Sequence, residues 1–125
     1  MNRLAFLVAL HFAMAWSTVA STAADLVMLS QPGCAWCLRF KKEIAPAYGN
    51  SAEGKTAPLR EIDITGPWPA DLPDLRNDRF TPTFVLVDEG KEVARMRGYA
   101  GDEFFWFLLG EMLAKLPGAA KPSAG

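Results

Sequence analysis

The chain has 125 residues, and its 13 basic and 14 acidic side chains give a formal charge of −1. Half of the residues are hydrophobic and 22% are charged, which is typical of one globular domain and excludes a disordered chain. The near-neutral charge gives no electrostatic basis for binding nucleic acid, so we expect no nucleic-acid partner.

Residues 1–24 have the pattern of a secretory signal peptide. Arg3 supplies a positive charge, residues 4–16 are apolar apart from His11, and small residues follow up to Ala24. The apolar core is shorter than the about 20 residues that a membrane span needs. We therefore predict a leader that is cleaved at its end; an uncleaved signal anchor is the alternative.

Cleavage would remove His11, which is the only histidine of the chain. Without an imidazole, the remaining domain excludes Ser-His-Asp and Cys-His catalysis and any zinc site that uses histidine. With only two cysteines left as strong ligands, we expect neither a metal nor a cofactor.

The first half of the mature sequence predicts a β-α-β unit. The apolar run at 26–29 indicates a buried strand, and a helical pattern begins at Ala35 and is kinked or ended by Pro46. Residues 59–64 predict a second strand. Its apolar positions are Leu59, Ile62 and Ile64.

The second half predicts a connection followed by β-β-α. Residues 66–80 contain several prolines and form the connection, with one helical turn at 70–76. Strands at 84–87 and 93–97 form an antiparallel hairpin, and a helix follows at 102–116. Because a β-α-β crossover makes a parallel pair, the sheet is mixed and four-stranded, with flanking helices. The domain spans 25–116, and 117–125 is predicted to be a disordered tail.

The two cysteines lie between the first strand and the first helix. Cys34 and Cys37 enclose Ala35 and Trp36. The N-terminus of a helix carries partial positive charge and favours the thiolate, which is the nucleophile in thiol chemistry. Cys37 falls on the apolar stripe of the helix with Phe40, so we expect it to be buried and Cys34 to be exposed. Cys34 is therefore predicted to be the nucleophile and Cys37 the resolving thiol of disulfide exchange.

Other interpretations of the cysteine pair remain open at this point. The alternatives are a structural disulfide, half of a zinc or copper site, and a relic disulfide on a non-catalytic binding or regulatory module. A bridge across so short a loop removes little chain entropy, which disfavours the first of these.

A proline before the third strand adds a second signal. Thr81, Pro82 and Thr83 come directly before the buried strand, and Pro82 follows Cys37 by 45 residues. A Cys-x-x-Cys on a strand-to-helix turn, such a proline and a closing helix together resemble the thioredoxin superfamily over 26–116. The resemblance implies a minimal thioredoxin fold in which Pro82 is cis and faces the cysteines. It also implies that Ala35, Trp36, Thr81 and Pro82 contact the substrate.

Several segments narrow the resemblance. Residues 31–37, 44–48, 57–60, 80–87 and 97–99 are similar to the periplasmic thioredoxin-like proteins of bacterial sulfur-oxidation (Sox) operons. The resemblance implies a periplasmic thiol-disulfide oxidoreductase, and specifically a reductase that acts as a monomer. It implies a protein disulfide as substrate, in that pathway the carrier SoxYZ. It further implies a membrane thiol transporter as electron donor.

One departure from thioredoxin concerns the proton of the resolving thiol. Thioredoxin has a buried aspartate six residues before its first cysteine, and this chain has Met28 there. Four charged residues are candidates to replace it, or are simply solvated surface charges: Lys41, Lys42, Glu43 and Asp63.

The residues between the cysteines bear on the direction of electron flow. Strong oxidants of this superfamily resemble Cys-Pro-His-Cys, whereas Ala35 and Trp36 supply no charged or imidazole donor, and only the helix terminus and Arg39 remain to stabilise a thiolate. We predict a weakly to moderately reducing protein; a disulfide-forming oxidant is the alternative.

Three aromatic residues have two possible placements each. Trp36 is exposed beside Cys34, or folds back near Trp68 and Phe80. Phe104 and Phe107 fall on the polar side of the last helix. Either the 66–80 connection covers them, or they form an exposed docking patch.

Overall fold

A computed structural model describes residues 24–119 of the chain. The strands are β1 (Ala24–Ser30), β2 (Leu59–Asp63), β3 (Thr83–Asp88) and β4 (Lys91–Arg97). The helices are α1 (Ala35–Glu43), α2 (Ala45–Tyr48), α3 (Ala52–Thr56) and α4 (Asp102–Leu113). The predicted order of a β-α-β unit, a connection and a β-β-α unit is confirmed, with α3 as an element that the sequence did not predict.

The strands form one mixed sheet in the order β2-β1-β3-β4. β1 pairs with β2 in parallel, and the pairs β1–β3 and β3–β4 are antiparallel. β1 is a central strand, and all its residues except Asp25 are buried. The segment that follows β1 therefore leaves the sheet between two neighbouring strands, and this segment carries the cysteines.

One face of the sheet packs against α1 and α4. Aromatic side chains dominate this core, with ring centroids 4.7 Å apart for Phe40 and Phe84, 5.0 Å for Phe40 and Phe105, and 5.2 Å for Phe84 and Phe105. Tyr99 packs edge-on against Phe40 at 5.6 Å. Such tilted pairs add about 0.5–1.5 kcal/mol each to the free energy from burial alone. This cluster fixes α1 against the sheet.

The 66–80 connection covers the other face of the sheet. Its Leu72 and Leu75 are buried against Val27, Leu29 and the neighbouring strands. The helical turn predicted at 70–76 is wrong, because this stretch forms open turns closed by hydrogen bonds from Leu72 N–H to Pro69 O and from Leu75 N–H to Leu72 O. Prolines in the connection remove the N–H donors that a helix needs.

The three apolar positions of the predicted second strand lie on different faces of the sheet. Leu59 packs in the core between the sheet and the helices, whereas Ile62 and Ile64 pack under the connection. Side chains alternate between faces along a strand, so Glu61 and Asp63 lie on the face of Leu59, the face of α1.

Phe104 and Phe107 are not covered by the connection, which lies on the opposite face. Their side chains are 56% and 63% exposed. Of the two placements that the sequence left open, the structure has the exposed one.

The segment from α1 to β2 turns twice. The first helix ends at Glu43, and Pro46 lies in the first turn of α2, where its missing N–H costs nothing. α3 begins after Ser51, whose Oγ accepts a hydrogen bond from Gly54 N–H at 2.9 Å. Gly54 is required there, because a Cβ at this position would lie 1.9 Å from the carbonyl oxygen of Tyr48.

α4 ends three residues before the predicted bound of 116. Hydrogen bonds from Lys115 N–H to Met112 O and from Leu116 N–H to Leu113 O tighten the chain into turns ahead of Pro117. Residues 117–119 of the predicted tail continue from these turns, with a hydrogen bond from Ala119 N–H to Leu116 O. The rest of the predicted tail lies outside the described residues.

At the other end, β1 includes the buried Ala24, which the sequence assigned to the leader. The remainder of the predicted leader lies outside the described residues. Within 24–119, no helix has the length and apolar character needed to cross a membrane.

Candidate active site

The cysteines occupy the turn between β1 and α1. Gln31 to Gly33 reverse the chain after Ser30, with Gly33 at a φ of +78°, a conformation that glycine adopts without strain. Cys34 N–H bonds Gln31 O at 3.3 Å, and Cys34 is the N-cap of α1. The central strand thus delivers the first sulfur directly to a helix N-terminus.

Cys34 and Cys37 are joined by a disulfide with an S–S distance of 2.10 Å. Cys34 is partly exposed, whereas Cys37 is only 2% exposed and belongs to the core cluster of Phe40. This is the asymmetry that helical spacing predicts. One sulfur is accessible to a partner, and the other is shielded behind it.

The helix terminus supplies the local electrostatics of Cys34. Its Sγ accepts a hydrogen bond from the backbone N–H of Cys37 at 3.1 Å, and the first turn of α1 contains no acidic residue. A donor of this kind stabilises a thiolate more than a thiol. The arrangement therefore favours Cys34 as the attacking sulfur when the pair is reduced.

The Thr81–Pro82 loop lies beside the cysteine turn. The Thr81–Pro82 peptide bond is cis. Pairing of Leu29 with Thr83 brings the entrance of β3 next to the exit of β1, and Gln31 Nε2 donates to Thr81 Oγ1 at 2.9 Å. Two segments separated by 50 residues are thereby joined at the candidate site.

Two further hydrogen bonds fix this loop. Thr83 Oγ1 donates to Phe80 O at 2.6 Å, and Gly98 N–H donates to Pro82 O at 2.7 Å. Gly98, with a φ of +84°, leaves room for the ring of Phe80, which would lie 3.4 Å from a Cβ. The glycine before the last helix thus seats an aromatic residue next to Thr81.

Asp78 anchors the connection just before the Thr81–Pro82 loop. Its side chain is 6% exposed and accepts from Arg97 Nε at 2.8 Å and from a terminal nitrogen of Arg95 at 3.2 Å. The same carboxylate accepts from Phe80 N–H at 3.1 Å. Burial opposes its ionisation, but the Phe80 and arginine donors prevail and lower the pKa of Asp78.

Trp36 is 53% exposed and does not fold back onto Trp68, which packs on the opposite face of the sheet. The guanidinium of Arg39 lies 5.4 Å from the Trp36 ring centroid, within cation–π distance. The structure therefore has the exposed placement, one of the two that the sequence allowed.

Arg39 is itself held by a network that reaches the core. Its Nε bonds Glu43 at 2.7 Å, and Tyr99 Oη donates to the other oxygen of that carboxylate at 2.5 Å. The Arg39 hydrogen bond, followed by that of Tyr99, lowers the pKa of Glu43. Burial, followed by the hydrogen bond to Glu43, raises the pKa of Tyr99 to about 12. Arg39 and Glu43 therefore support the orientation of Trp36.

A cleft of about 440 Å³ opens on the other side of the disulfide. Six of its lining residues carry sulfur, hydroxyl or charged groups: Ser30, Cys34, Cys37, Lys41, Glu61 and Asp63. The Glu61 carboxylate accepts from Ser30 Oγ at 2.6 Å and pairs with Lys41 Nζ at 2.6 Å. Burial opposes its ionisation, but the bonds from Lys41 and Ser30 prevail and lower the pKa of Glu61.

Glu61 was not among the charged candidates selected from the sequence. Its side chain is 41% exposed. The strand pairing shows where it lies: Glu61 is directly opposite Met28. The signal available in the sequence was period-two counting from Leu59, which puts Glu61 on the core-facing side.

A search of solved structures finds similarity to this chain over most of its length. The periplasmic thioredoxin SoxS from Paracoccus pantotrophus, in its reduced form, is 40% identical, with a TM-score of 0.70. The match covers 74% of this chain and 97% of that one. No family model matches the chain, and no curated protein matches it.

Proposed function

This chain belongs to the SoxS-like thioredoxins, and we propose that it is the reductase of a partner protein's disulfide, in which Cys34 attacks and Cys37 resolves. The thioredoxin-like fold and the Cys-x-x-Cys disulfide support thiol-disulfide oxidoreductase activity. The observation that carries the finer assignment is the unequal setting of the two sulfurs: Cys34 at the helix N-terminus and Cys37 in the core.

The direction of electron flow is inferred from what stabilises the Cys34 thiolate. The helix N-terminus contributes the Cys37 N–H, while Ala35 and Trp36 add no charged donor. Arg39 is engaged with Glu43 and lies over the Trp36 ring, which supports a structural role for its charge. A less stabilised thiolate makes the dithiol the better electron donor.

The partner is proposed from the surface beside the disulfide. Trp36 and Phe80 are both more than half exposed and lie next to the cysteine turn and the Thr81–Pro82 loop. An extended segment that carries a disulfide can rest on these rings and pair with the backbone at Thr81. By analogy with SoxS, we propose a periplasmic location, a SoxYZ-like carrier as substrate and a membrane thiol donor that keeps the chain reduced.

Catalysed reduction of insulin by dithiothreitol tests the activity. We expect the chain to accelerate insulin reduction, and both Cys34→Ser and Cys37→Ser to abolish turnover because each half of the exchange needs its own thiol. Glu111→Gln, a charge removed from the exposed side of α4, is the matched control. A wild-type rate no higher than that of Cys34→Ser would instead identify a non-catalytic binding module.

The proposed partner is tested separately. The Cys37→Ser variant, mixed with the oxidised carrier, is expected to accumulate a mixed disulfide through Cys34. Dithiothreitol should reduce this complex and release both proteins. An equally abundant complex formed by Cys34→Ser through Cys37 would refute the assignment of roles.

A further inference from the structure

The only acidic residue of β1 is Asp25, which lies at the end of the strand away from the cysteine turn and on the opposite face from Met28. Met28 is fully buried in the same cluster as Cys37. A thiol attacks a disulfide only as the thiolate, so Cys37 must lose its proton during each turnover. Another element of the fold has to supply the group that accepts it.

The neighbouring strand places a carboxylate next to Met28. In the parallel pairing of β1 and β2, Met28 lies opposite Glu61. Paired residues of adjacent strands project from the same face, and adjacent strands lie about 4.8 Å apart. Glu61 therefore lies on the helix side of the sheet, one strand away from the missing acid.

Contacts direct this carboxylate into the cleft that both cysteines line. Ser30 Oγ from β1 and Lys41 Nζ from α1 each lie 2.6 Å from Glu61 Oε1. Lys41 is one helical turn beyond Cys37 in α1. Both contacts fall on Oε1, so Oε2 is the carboxylate oxygen that can take up a proton.

The four candidates named from the sequence are less suited to the role. Lys41 and Lys42 are cations and have no vacant site for a proton. Glu43 does not line the cleft, and each of its carboxylate oxygens already accepts a hydrogen bond, one from Arg39 and the other from Tyr99. Asp63 does line the cleft, but it lies opposite Ser30, farther along β2 from Met28 than Glu61.

We propose that Glu61 is the proton acceptor for Cys37 when the mixed disulfide is resolved. The inference rests on the proposed reductase function. Before this step, Cys34 is bonded to one sulfur of the partner, and Cys37 carries a proton. The proton passes to Glu61, the Cys37 thiolate attacks Cys34 Sγ, the bond from Cys34 to the partner breaks, and the Cys34–Cys37 bond forms.

The electrons and protons of this step balance. The two electrons of the dithiol pass to the partner's disulfide, which becomes two thiols. The second partner sulfur leaves as a thiolate and is protonated, while Glu61 returns its proton to that sulfur or to solvent. Lys41 and Ser30 hold the carboxylate in place and act as positioning residues.

Stopped-flow oxidation of the reduced protein by dithiobis(nitrobenzoate) separates the two attacks. Cys34 attack releases one coloured thiolate in a phase that depends on reagent concentration, and resolution by Cys37 releases the second in a phase that does not. In Glu61→Gln we expect the second phase to slow about tenfold at neutral pH. This is less than the roughly 10²–10⁴-fold rate enhancement that a general base typically contributes, because the cleft is open to water. The first phase should change less than twofold.

Three comparisons make the result specific to proton transfer. Glu61→Asp keeps a carboxylate and should recover most of the second-phase rate. Glu111→Gln should leave both phases unchanged, and raising the pH should narrow the gap between Glu61→Gln and wild type as solvent ionises Cys37 directly. Circular dichroism and thermal unfolding verify that each variant is folded.

The outcomes distinguish this inference from the proposed function. A wild-type protein that releases only one coloured thiolate would refute the reductase itself. A wild-type protein with both phases, alongside an unchanged second phase in Glu61→Gln, would refute only the role of Glu61. An Asp63→Asn variant that slows the second phase as much as Glu61→Gln would also overturn the role of Glu61. The total negative charge in the cleft, and not one proton acceptor, would then govern the rate.

Discussion

Replacing Asp78 with asparagine tests how the connection is fastened beside the active site. The substitution keeps the shape of the side chain and removes its charge. Asp78 is nearly buried and bonds Arg95, whose side chain is 14% exposed, and Arg97, which is largely exposed. An acceptor for Phe80 N–H remains, so the change isolates the ion pairs from the loop's backbone hydrogen bond.

The expected cost follows from the burial of the two partners. A hydrogen bond to a charged group contributes about 1.5–3 kcal/mol when it is shielded from water. The exposed Arg97 contributes little, because surface pairs are worth about 0–1 kcal/mol. We therefore expect Asp78→Asn to lose about 2 kcal/mol of unfolding free energy at neutral pH. For a domain near 100 residues this lowers Tm by about 8–16 °C.

The pH dependence gives a second check on the same side chain. The folded-state pKa of Asp78 is lowered, so its stabilisation is fully present above its unfolded pKa of about 3.9. It is lost as pH falls through the lower folded pKa, when the carboxylate becomes protonated in both states. The stability gap between wild type and Asp78→Asn should therefore narrow steadily below about pH 4.

Thermal unfolding of the oxidised proteins at neutral and acidic pH measures both effects. Asp74→Asn is the matched control, since Asp74 lies in the same connection with an exposed side chain. An Asp78→Asn Tm equal to that of the control at neutral pH would show that the ion pairs do not hold the connection. A gap that stays constant down to pH 2.5 would show that the charge of Asp78 is not its source.

Three other changes test separate parts of the structure. Alkylation of the reduced protein, followed by peptide mass spectrometry, should label Cys34 before Cys37, because Cys37 is buried; faster labelling of Cys37 would reverse their roles. Gly54→Ala should cost about 3 kcal/mol or more in urea unfolding, because its Cβ would meet the Tyr48 carbonyl, and a loss under 1 kcal/mol would contradict that packing. Tyr48→Phe should cost about 1–2 kcal/mol in the same assay, because its hydroxyl donates to the buried Ala57 carbonyl at 2.7 Å; an unchanged midpoint would argue against this bond.

The elements around the cysteines were predictable because several local signals agree there. An apolar strand, a turn with Gly33 and a helical stripe through Cys37 and Phe40 all indicate the same strand-to-helix turn. The structure places Cys37 in the core and Cys34 at the N-cap, as that spacing requires. Periodicity sufficed because a helix with one buried stripe has only one way to face the sheet.

The elements that the sequence mispredicted depend on specific contacts and not on the pattern of apolar residues. α3 is a short helix that exists because Ser51 caps it and Gly54 fits against Tyr48, and neither contact is visible in a pattern of apolar residues. The connection at 66–80 buries Leu72 and Leu75 without regular structure, so helical periodicity there was misleading. Its placement on the far face also left Phe104 exposed.

Glu61 shows why the candidate site was only partly predictable. The sequence identified the missing acid at Met28 and offered Lys41, Lys42, Glu43 and Asp63 as replacements, but not Glu61. The parallel pairing of β1 and β2 brings a residue 33 positions later to the side of Met28. Strand register is a tertiary property, and a shift of one residue would have turned Glu61 to the other face.

The most direct test of the account's central claim is the equilibrium of the Cys34–Cys37 pair with a glutathione series, read by counting free thiols after acid quenching. A reductase with only a helix terminus to stabilise its Cys34 thiolate should have a potential between about −120 and −270 mV, nearer the lower value of thioredoxin. A potential above about −150 mV would contradict the claim and assign the chain to disulfide formation.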